Sequence, residues 1–412
     1  MEDRVNEGIG VIVLAGNTRI KRQIRRRKRR GFFFRVARPH LWTVDRKVLE
    51  AKLTSKINRD DYIVGENKSL LYLHPDLISS KNLNFLKRVL YFAGKTGDRF
   101  YRRKKGELLR YLSERGETPI SLVMRAVGEC RLLDSKNTII IGPKKQIESE
   151  LERSGIPSYR VVEQGDSIGE NILIGKEELS DMGYGGERIL VTGGDIPIIS
   201  ADDLKHFIED SAMREGEADI LFGMGSRQQL GSFIEEQGLT SMGAVGPNYP
   251  RANNLNKFGI PLIDDAAVFG EKDARVHFMV GNIFLISFNK ISSRFMDRFY
   301  SLRKMGANPL AYPYLIRNFG RALWRATRWK VRLTEAENIF EKVTGVKVKV
   351  VPVPPPFTLD LDSYTDLRRL SALYFRIHGT THDLELDFKD FLKQHRRERR
   401  RRKGRKRSGG VR

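Results

Sequence analysis

The stretch Ile189-Leu-Val-Thr-Gly-Gly-Asp-Ile-Pro197 joins a short apolar run to a carboxylate that follows it almost directly. The apolar, β-branched run is typical of a buried strand. The two glycines after it allow a sharp turn, which presents Asp195 at the end of the strand. A hard cation such as Mg²⁺ binds one or two carboxylates together with phosphate and water. The stretch therefore indicates either a metal ligand or a turn that only caps the next helix.

Short apolar strands alternate with longer helical segments on both sides of this stretch, except for an irregular region after the first strand. The predicted strands cover residues 9–15, 138–142, 159–163, 188–192 and 218–222, and the predicted helices cover 119–127, 144–153, 168–179 and 201–215. Such alternation is typical of βαβ units, whose parallel sheet is covered by helices on both faces. The sequence thus predicts an α/β fold with three layers (α/β/α) and a mostly parallel, Rossmann-like central sheet, in which ligands bind beyond the carboxyl ends of the strands.

Most of the net charge of +24 over 412 residues comes from two basic runs. Residues 19–30 contain nine Lys or Arg and no acid, and the final 18 residues contain eleven against one Glu. The remainder is nearly balanced, and a chain with 40% hydrophobic residues can bury a sizeable core. We therefore expect a single domain over residues 1–392, with basic insertions at about 20–62 and 75–112, and a disordered basic tail at 393–412.

The sequence excludes several classes of protein. Cys130 is the only cysteine, so the chain can form no internal disulfide and no cysteine-based zinc site. It contains no apolar run of the length that a transmembrane helix requires, and its acidic start lacks the order of a signal peptide. These features predict a cytoplasmic protein.

The basic tail has three open interpretations. It either keeps the protein soluble, binds nucleic acid, or docks on an anionic membrane surface. Residues 314–330 alternate apolar side chains with arginines at roughly helical spacing. That pattern is typical of a helix in a membrane interface and also of a helix that packs on its own domain. A peripheral association with a membrane therefore stays open.

Two further carboxylates, Asp360 and Asp362, alternate along an extended stretch and therefore share a face. A helix is predicted to begin just after them, capped by either Asp362 or Ser363. The pair is thus a metal-binding element or in part a helix cap.

The first predicted strand ends in Leu14-Ala-Gly-Asn-Thr-Arg19, a turn whose backbone N–H groups and arginine could hold phosphates. Lys68, in Gly65-Glu-Asn-Lys-Ser-Leu-Leu71, could add a second phosphate-binding cation. A generic turn and a solvated lysine are the simpler interpretations of these two features.

Together these segments resemble the MobA-like nucleotidyltransferase superfamily, which includes molybdenum-cofactor guanylyltransferase. The matching segments fall within about residues 9–370 and are, in chain order, 14–19, 68–70, 116–119, 163–171, 194–197, 281–285 and 360–367. Two departures stand out: Asn17 replaces a loop glycine, and Lys68 lies 49 residues beyond Arg19, farther than in the family. Either insertions separate these parts of the site, or Lys21 or Arg22 serves as the cation.

The resemblance implies a nucleotide-diphospho-sugar transferase-like fold and a Mg²⁺-dependent enzyme. The implied reaction transfers a nucleoside monophosphate from a nucleoside triphosphate to a phosphorylated small-molecule acceptor, with release of pyrophosphate. The implied catalytic residues are Arg19, Lys68 and Asp195, the nucleotide-binding residues are Leu14, Ala15, Gly16, Asn17, Gln164, Gly165 and Gly194, the acceptor-binding residues are Asn282 and Arg251, and the metal ligands are Asp195 and Asp362.

Two other functions stay open. A glycosyltransferase that uses a nucleotide sugar has a related fold, but usually carries an Asp-x-Asp pair at the end of the central strand, where this chain has two glycines and Asp195. A non-catalytic nucleic-acid-binding protein would depend on the basic runs. Deleting residues 395–412 would abolish the function of such a protein but leave an enzyme active.

Overall fold

The computed structural model describes residues 8–16, 63, 66–95, 99–214, 216–237, 261–262, 276–293 and 333–379. Both basic runs lie outside these residues, as do the segment 314–330 and the predicted site residues Asn17, Arg19 and Arg251. The division into one domain, two insertions and a tail stays a prediction. Within the described residues, no helix is both long enough and apolar enough to cross a membrane.

A single sheet of eight strands forms the middle of the described fold. The strands are β1 (Ile9–Leu14), β2 (Leu133–Gly142), β3 (Arg160–Glu163), β4 (Arg188–Gly193), β5 (Ile220–Ser226), β6 (Pro261–Leu262), β7 (Val276–Ser287) and β8 (Val348–Pro352). Their order along the sheet is β3-β2-β1-β4-β7-β5-β8, with the short β6 paired to β7. Strand β7 runs antiparallel to β4, β5 and β6, and all the other pairs are parallel. The mostly parallel sheet confirms the predicted α/β class.

Nine α-helices lie within the described residues. They are α1 (Ser80–Lys95), α2 (Arg99–Arg115), α3 (Pro119–Glu129), α4 (Lys144–Arg153), α5 (Ile168–Asp181), α6 (Ala201–Ala212), α7 (Arg227–Glu236), α8 (Leu333–Thr344) and α9 (Tyr364–Ile377). Short 3₁₀ turns cover Lys68–Leu70, Pro75–Ile78, Phe288–Lys290 and Pro355–Thr358. A Ser or Thr side chain caps α3, α5, α6 and α9 by accepting a hydrogen bond from the backbone three residues later.

The alternating side chains of β1 and β4 build a core on each face of the sheet. Val13 and Leu190 are fully buried in the core that α3 and α6 cover. Ile12 and Val191 are fully buried in the core on the opposite face, where they pack with Ile172 of α5. Strands that are buried on both faces are continuously apolar in sequence, which explains why these two were predicted from their composition.

Strand β7 does not figure among the predicted strands. It begins 50 residues after β5 ends, yet it lies between β4 and β5 in the sheet and pairs with both. Local periodicity carries no information about such a distant partner. The antiparallel strand is therefore the main feature of the sheet that the sequence pattern misses.

The region expected to be irregular contains a helical hairpin, α1 and α2. The hairpin leaves the sheet domain and returns to it at one place, because Leu73 and Glu117 exchange two backbone hydrogen bonds of 2.8 and 3.3 Å. Leu86 of α1 and Leu108 of α2 are buried in a core that also holds Leu361 and part of α9. Lysines and arginines on the outer sides of both helices hide this apolar pattern in the sequence. The hairpin therefore packs against the segment that carries Asp360 and Asp362, and supports it.

Candidate active site

The candidate site lies at the carboxyl ends of β1 and β4. The chain leaves β1 towards β2 and β3 on one side and returns to β4 on the other, so a crevice opens between the β1 and β4 loops. The Gly194 amide donates to the Leu14 carbonyl at 2.9 Å. A Cβ on Gly194 would lie only 3.0 Å from the Cβ of Ala15, and one on Gly193 only 2.8 Å from Oδ1 of Asp195. The two glycines therefore let the loops approach each other and leave room for the Asp195 carboxylate.

The Asp360–Asp362 segment reaches Asp195 from the far end of the chain. The Leu361 amide donates to the backbone carbonyl of Asp195 at 3.0 Å, while the Leu361 side chain is fully buried in the hairpin core. Asp360 and Asp362 flank this anchor and are both half-buried. The cap of α9 is Ser363, whose hydroxyl accepts from the Asp366 amide. Of the two predicted caps, Asp362 is thus the wrong one, and its carboxylate is available to the site.

Lys68 meets these carboxylates despite its distance from β1 in the sequence. Its Nζ forms an ion pair with Oδ1 of Asp362, and the two side chains are 28% and 32% exposed. Burial alone would lower the pKa of Lys68, but the carboxylates of Asp362, Asp195 and Asp360 outweigh it and raise this pKa. Lys68 is therefore a firmly charged cation.

One lysine does not balance the carboxylates around it. Burial raises the pKa of Asp195, the nearby Lys68 lowers it, and Asp362 raises it again, with a net upward shift. The pKa of Asp360 is raised well above its ordinary value by burial and by the charges of Asp362 and Asp195. The site thus holds an excess of negative charge that a further cation would relieve.

The donor set fits Mg²⁺ bound together with a phosphate. Asp195 and Asp362 provide carboxylate oxygens, the ligands that a hard cation prefers, and Mg²⁺ usually completes its shell with waters and substrate phosphates. Within the described ranges, no three His, Cys, Asp or Glu side chains form a group that could hold a metal by themselves. Asp195 and Asp362 could therefore supply only part of the coordination shell of such an ion.

The turn that carries Lys68 is anchored on two sides. Asn67 donates from Nδ2 to the Ala15 carbonyl at 2.9 Å and accepts from the Ser69 amide at 3.0 Å, which ties the turn to the β1 loop. Glu66 accepts from the ammonium of Lys105 on α2 at 2.6 and 2.7 Å. These anchors explain how Lys68 reaches the site across the long sequence gap. Nothing in the sequence marks Asn67 as a site residue except its position directly before Lys68.

Neutral amides gather on the β3 side of the β1 loop. Gly165 follows β3, and its backbone N–H donates to Oδ1 of Asn171 at 2.7 Å. Oε1 of Gln164 lies directly over Gly16, in space that a Cβ on that glycine would occupy. The structure thus brings together Gly16, Gln164 and Gly165, three of the predicted nucleotide-binding residues.

Asn282 lies on β7 beside Gly193. The Cβ atom of Asn282 is 3.6 Å from the position that a Cβ on Gly193 would occupy. Its Nδ2 donates to the Phe357 carbonyl at 3.4 Å, in the 3₁₀ turn that leads to Asp360. The contact supports the segment that bears the carboxylates. The predicted role of Asn282 in acceptor binding stays a prediction.

Known proteins resemble this chain in fold only. No protein-family model matches the sequence, and no curated protein matches it. A hypothetical transferase from Thermus thermophilus is 17% identical, with a TM-score of 0.42 over 61% of this chain and 87% of that chain. A 4-diphosphocytidyl-2C-methyl-D-erythritol synthase from Anaerococcus prevotii is 14% identical, with a TM-score of 0.34 over 63% and 87%. A CMP:2-keto-3-deoxy-manno-octonic acid synthetase complexed with CTP is 11% identical, with a TM-score of 0.34 over 64% and 89%.

A further solved structure that matches is described as a nucleotidyl transferase from Methanothermobacter. At these identities and TM-scores the likeness carries no argument about activity.

The raised pKa of Asp360 predicts how the stability of the metal-free protein depends on pH. Because the folded-state pKa lies above that of the unfolded chain, the folded state binds more protons, and stability should fall as the pH rises from about 4 through the raised pKa. Asp360→Asn should remove part of this fall. Thermal unfolding midpoints, measured in EDTA from about pH 4 to 8, should give a flatter profile for the variant. If the unfolding midpoint of Asp360→Asn falls with pH as steeply as that of the wild type, then neighbouring carboxylates do not raise the pKa of Asp360.

Proposed function

We propose that this chain is a Mg²⁺-dependent nucleotidyltransferase of the MobA-like type. It would transfer a nucleoside monophosphate from a nucleoside triphosphate to a phosphorylated small-molecule acceptor and release pyrophosphate. The observation that carries the proposal is the convergence of Lys68, Asp195 and Asp362 at the carboxyl ends of β1 and β4. A cation next to an excess of carboxylate is the arrangement that a metal–triphosphate substrate requires.

The proposed reaction needs no protein nucleophile. A phosphate oxygen of the acceptor attacks the α-phosphorus in line, the bond from that phosphorus to the bridging oxygen breaks, and pyrophosphate leaves with the electron pair. Catalysis then comes from alignment and from neutralisation of charge. Asp195 and Asp362 would hold Mg²⁺, and the ion would neutralise the charge that develops on the α-phosphate. Lys68 would bind the β- and γ-phosphates, with Arg19 as its predicted partner.

In the protein without substrate, the Lys68 ammonium supplies a positive charge to Asp362 through their ion pair. Lys68 occupies the place beside Asp362 that the metal would share. A triphosphate that enters with Mg²⁺ would draw Lys68 to its phosphates and release Asp362 to the ion. Lys68 would thus compensate part of the negative charge of the free site, and the metal would compensate more of it in the complex.

The remaining predicted residues would bind the two ends of the substrates. Gln164 and Gly165 lie on the β3 side of the β1 loop and would contact the nucleobase. Asn282, and Arg251 outside the described residues, would face the acceptor. A phosphorylated acceptor brings further negative charge, for which an arginine that forms two parallel hydrogen bonds is well suited.

A screen of the four ribonucleoside triphosphates tests the proposal. We expect one or two of them to raise the thermal unfolding midpoint of the wild type, only when Mg²⁺ is present. Asp195→Ala should lose this effect. If no nucleotide stabilises the wild type, or if Asp195→Ala responds equally, the proposed site is wrong. Hydrolysis of a nucleotide sugar without pyrophosphate release from any triphosphate would favour the glycosyltransferase alternative.

A further inference from the structure

We propose that Asn67 is a positioning residue, which ties the Lys68 turn to the end of β1 and so directs the Lys68 ammonium to the β- and γ-phosphates. The Lys68 turn is the 3₁₀ turn Lys68–Leu70 together with its cap, Asn67. The inference rests on the proposed function, since it assumes that a triphosphate binds between the β1 loop and Lys68. Asn67 then acts on the substrate through the lysine that follows it.

Two successive carbonyls at the end of β1 hold the two charged parts of the site. The Leu14 carbonyl accepts from the amide of Gly194, the residue directly before Asp195, at 2.9 Å. The Ala15 carbonyl accepts from Nδ2 of Asn67, the residue directly before the phosphate-binding lysine, at 2.9 Å. The end of β1 therefore sets the position of the lysine relative to the metal-binding carboxylate.

The contacts of Asn67 fix which end of its amide has which role. A carbonyl can only accept and a backbone N–H can only donate. Nδ2 of Asn67 must therefore face the Ala15 carbonyl, and Oδ1 must face the Ser69 amide at 3.0 Å. Oδ1 caps the turn that carries Lys68, whereas Nδ2 joins that turn to β1. The two roles belong to different atoms and can be removed separately.

The ion pair with Asp362 cannot guide Lys68 once the substrate is bound. In the free protein that pair holds the ammonium. In the proposed reaction the carboxylate passes to Mg²⁺ and the ammonium passes to the phosphates, so the pair is broken. The contact between Asn67 and Ala15 involves neither group and is left intact by the exchange. The strength of a hydrogen bond to phosphate depends steeply on distance and angle, and thus on where the turn holds the lysine.

A purely structural role for Asn67 makes a different prediction. If the residue only caps the 3₁₀ turn, then serine should serve as well, because a serine hydroxyl also accepts from the backbone two residues later. If the residue positions Lys68 through Nδ2, then serine should fail, because its side chain is too short to reach the Ala15 carbonyl. Asn67→Ser therefore keeps the cap and removes the link to β1.

The test is a double-mutant cycle of Asn67→Ser and Lys68→Met. It measures the affinities for inorganic tripolyphosphate and for the ribonucleoside triphosphate that stabilises the wild type most, each with Mg²⁺. We expect Asn67→Ser to bind both ligands about tenfold more weakly when Lys68 is present. In the Lys68→Met background the same substitution should change either affinity by less than about twofold, because the group that Asn67 positions is absent.

Two controls accompany the cycle. Asn137→Ser should leave both affinities unchanged, since Asn137 is also half-buried but donates to Asp134 at 2.8 Å, in the first half of β2 and away from its carboxyl end. Thermal unfolding in EDTA should place the midpoint of Asn67→Ser within about 5 °C of the wild type, because only one hydrogen bond is lost. If Lys68→Met does not fold, Lys68→Gln takes its place in the cycle.

Three outcomes would overturn the inference. Asn67→Ser could bind both ligands as tightly as the wild type does, which limits Asn67 to capping the turn. It could weaken binding equally with and without Lys68, which shows that Asn67 does not act through that lysine. If the wild type binds neither tripolyphosphate nor any of the four ribonucleoside triphosphates, then the proposed function fails as well, and this result is distinct from the other two.

Discussion

Replacing Asp195 with asparagine is expected to lower kcat for nucleotidyl transfer by roughly a thousandfold while leaving the fold at least as stable. The substitution keeps the shape of the side chain but removes a charge that would hold the metal against the α-phosphate. Because burial and Asp362 already raise the pKa of Asp195, the ionised carboxylate is unfavourable in the metal-free protein. Loss of that charge should therefore not lower the unfolding temperature in EDTA.

Asp202→Asn is the matched control for this change. Asp202 is an exposed carboxylate in the first turn of α6, seven residues along the chain from Asp195. The control should retain wild-type kcat in a pyrophosphate-release assay. Turnover by Asp195→Asn within about tenfold of the wild type, at saturating Mg²⁺, would show that this carboxylate does not hold a catalytic metal.

Lys68→Met is expected to have the second largest effect, and it should lower both activity and stability. The variant loses the cation for the β- and γ-phosphates, so kcat/KM should fall by about a hundredfold to a thousandfold. It also removes the positive charge that lowers the pKa values of Asp195 and Asp360 and pairs with Asp362. For a partly buried pair this should cost about 2 kcal/mol of unfolding free energy, measured by urea unfolding in EDTA.

The two effects of Lys68→Met can be separated by a second substitution. Lys68→Met combined with Asp195→Asn should recover much of the stability, because one of the crowded charges is gone, but none of the activity. Lys144→Met provides a control, since Lys144 forms an exposed pair with Glu148 at 3.8 Å on α4. If Lys68→Met in EDTA is as stable as the wild type, then Lys68 does not compensate the carboxylates.

The parts of the site that follow a strand directly could be predicted from the sequence. Asp195 comes after an apolar run and two glycines, and that local pattern is enough to place its carboxylate at a strand end. The strand–helix alternation likewise predicts the α/β class, because period and composition are local properties. Asp360 and Asp362 share a face as predicted, since alternation in an extended segment is also local.

The parts that depend on distant contacts could not be predicted in this way. Lys68 reaches Asp362 because its turn is tied to the Ala15 carbonyl through Asn67 and to Lys105 of α2 through Glu66, and no local pattern encodes these distant contacts. The choice between Asp362 and Ser363 as the cap of α9 depended on the capping box with Asp366.

The most direct test of the account is the position of a metal in the nucleotide complex. Crystals grown with Mn²⁺ and the α,β-methylene analogue of the preferred nucleoside triphosphate would locate the ion by its anomalous scattering. We expect one ion between Asp195 and Asp362 in contact with the α-phosphate, with Lys68 moved from Asp362 to the β- and γ-phosphates. An ion bound elsewhere, or triphosphate bound while Lys68 stays on Asp362, would contradict it.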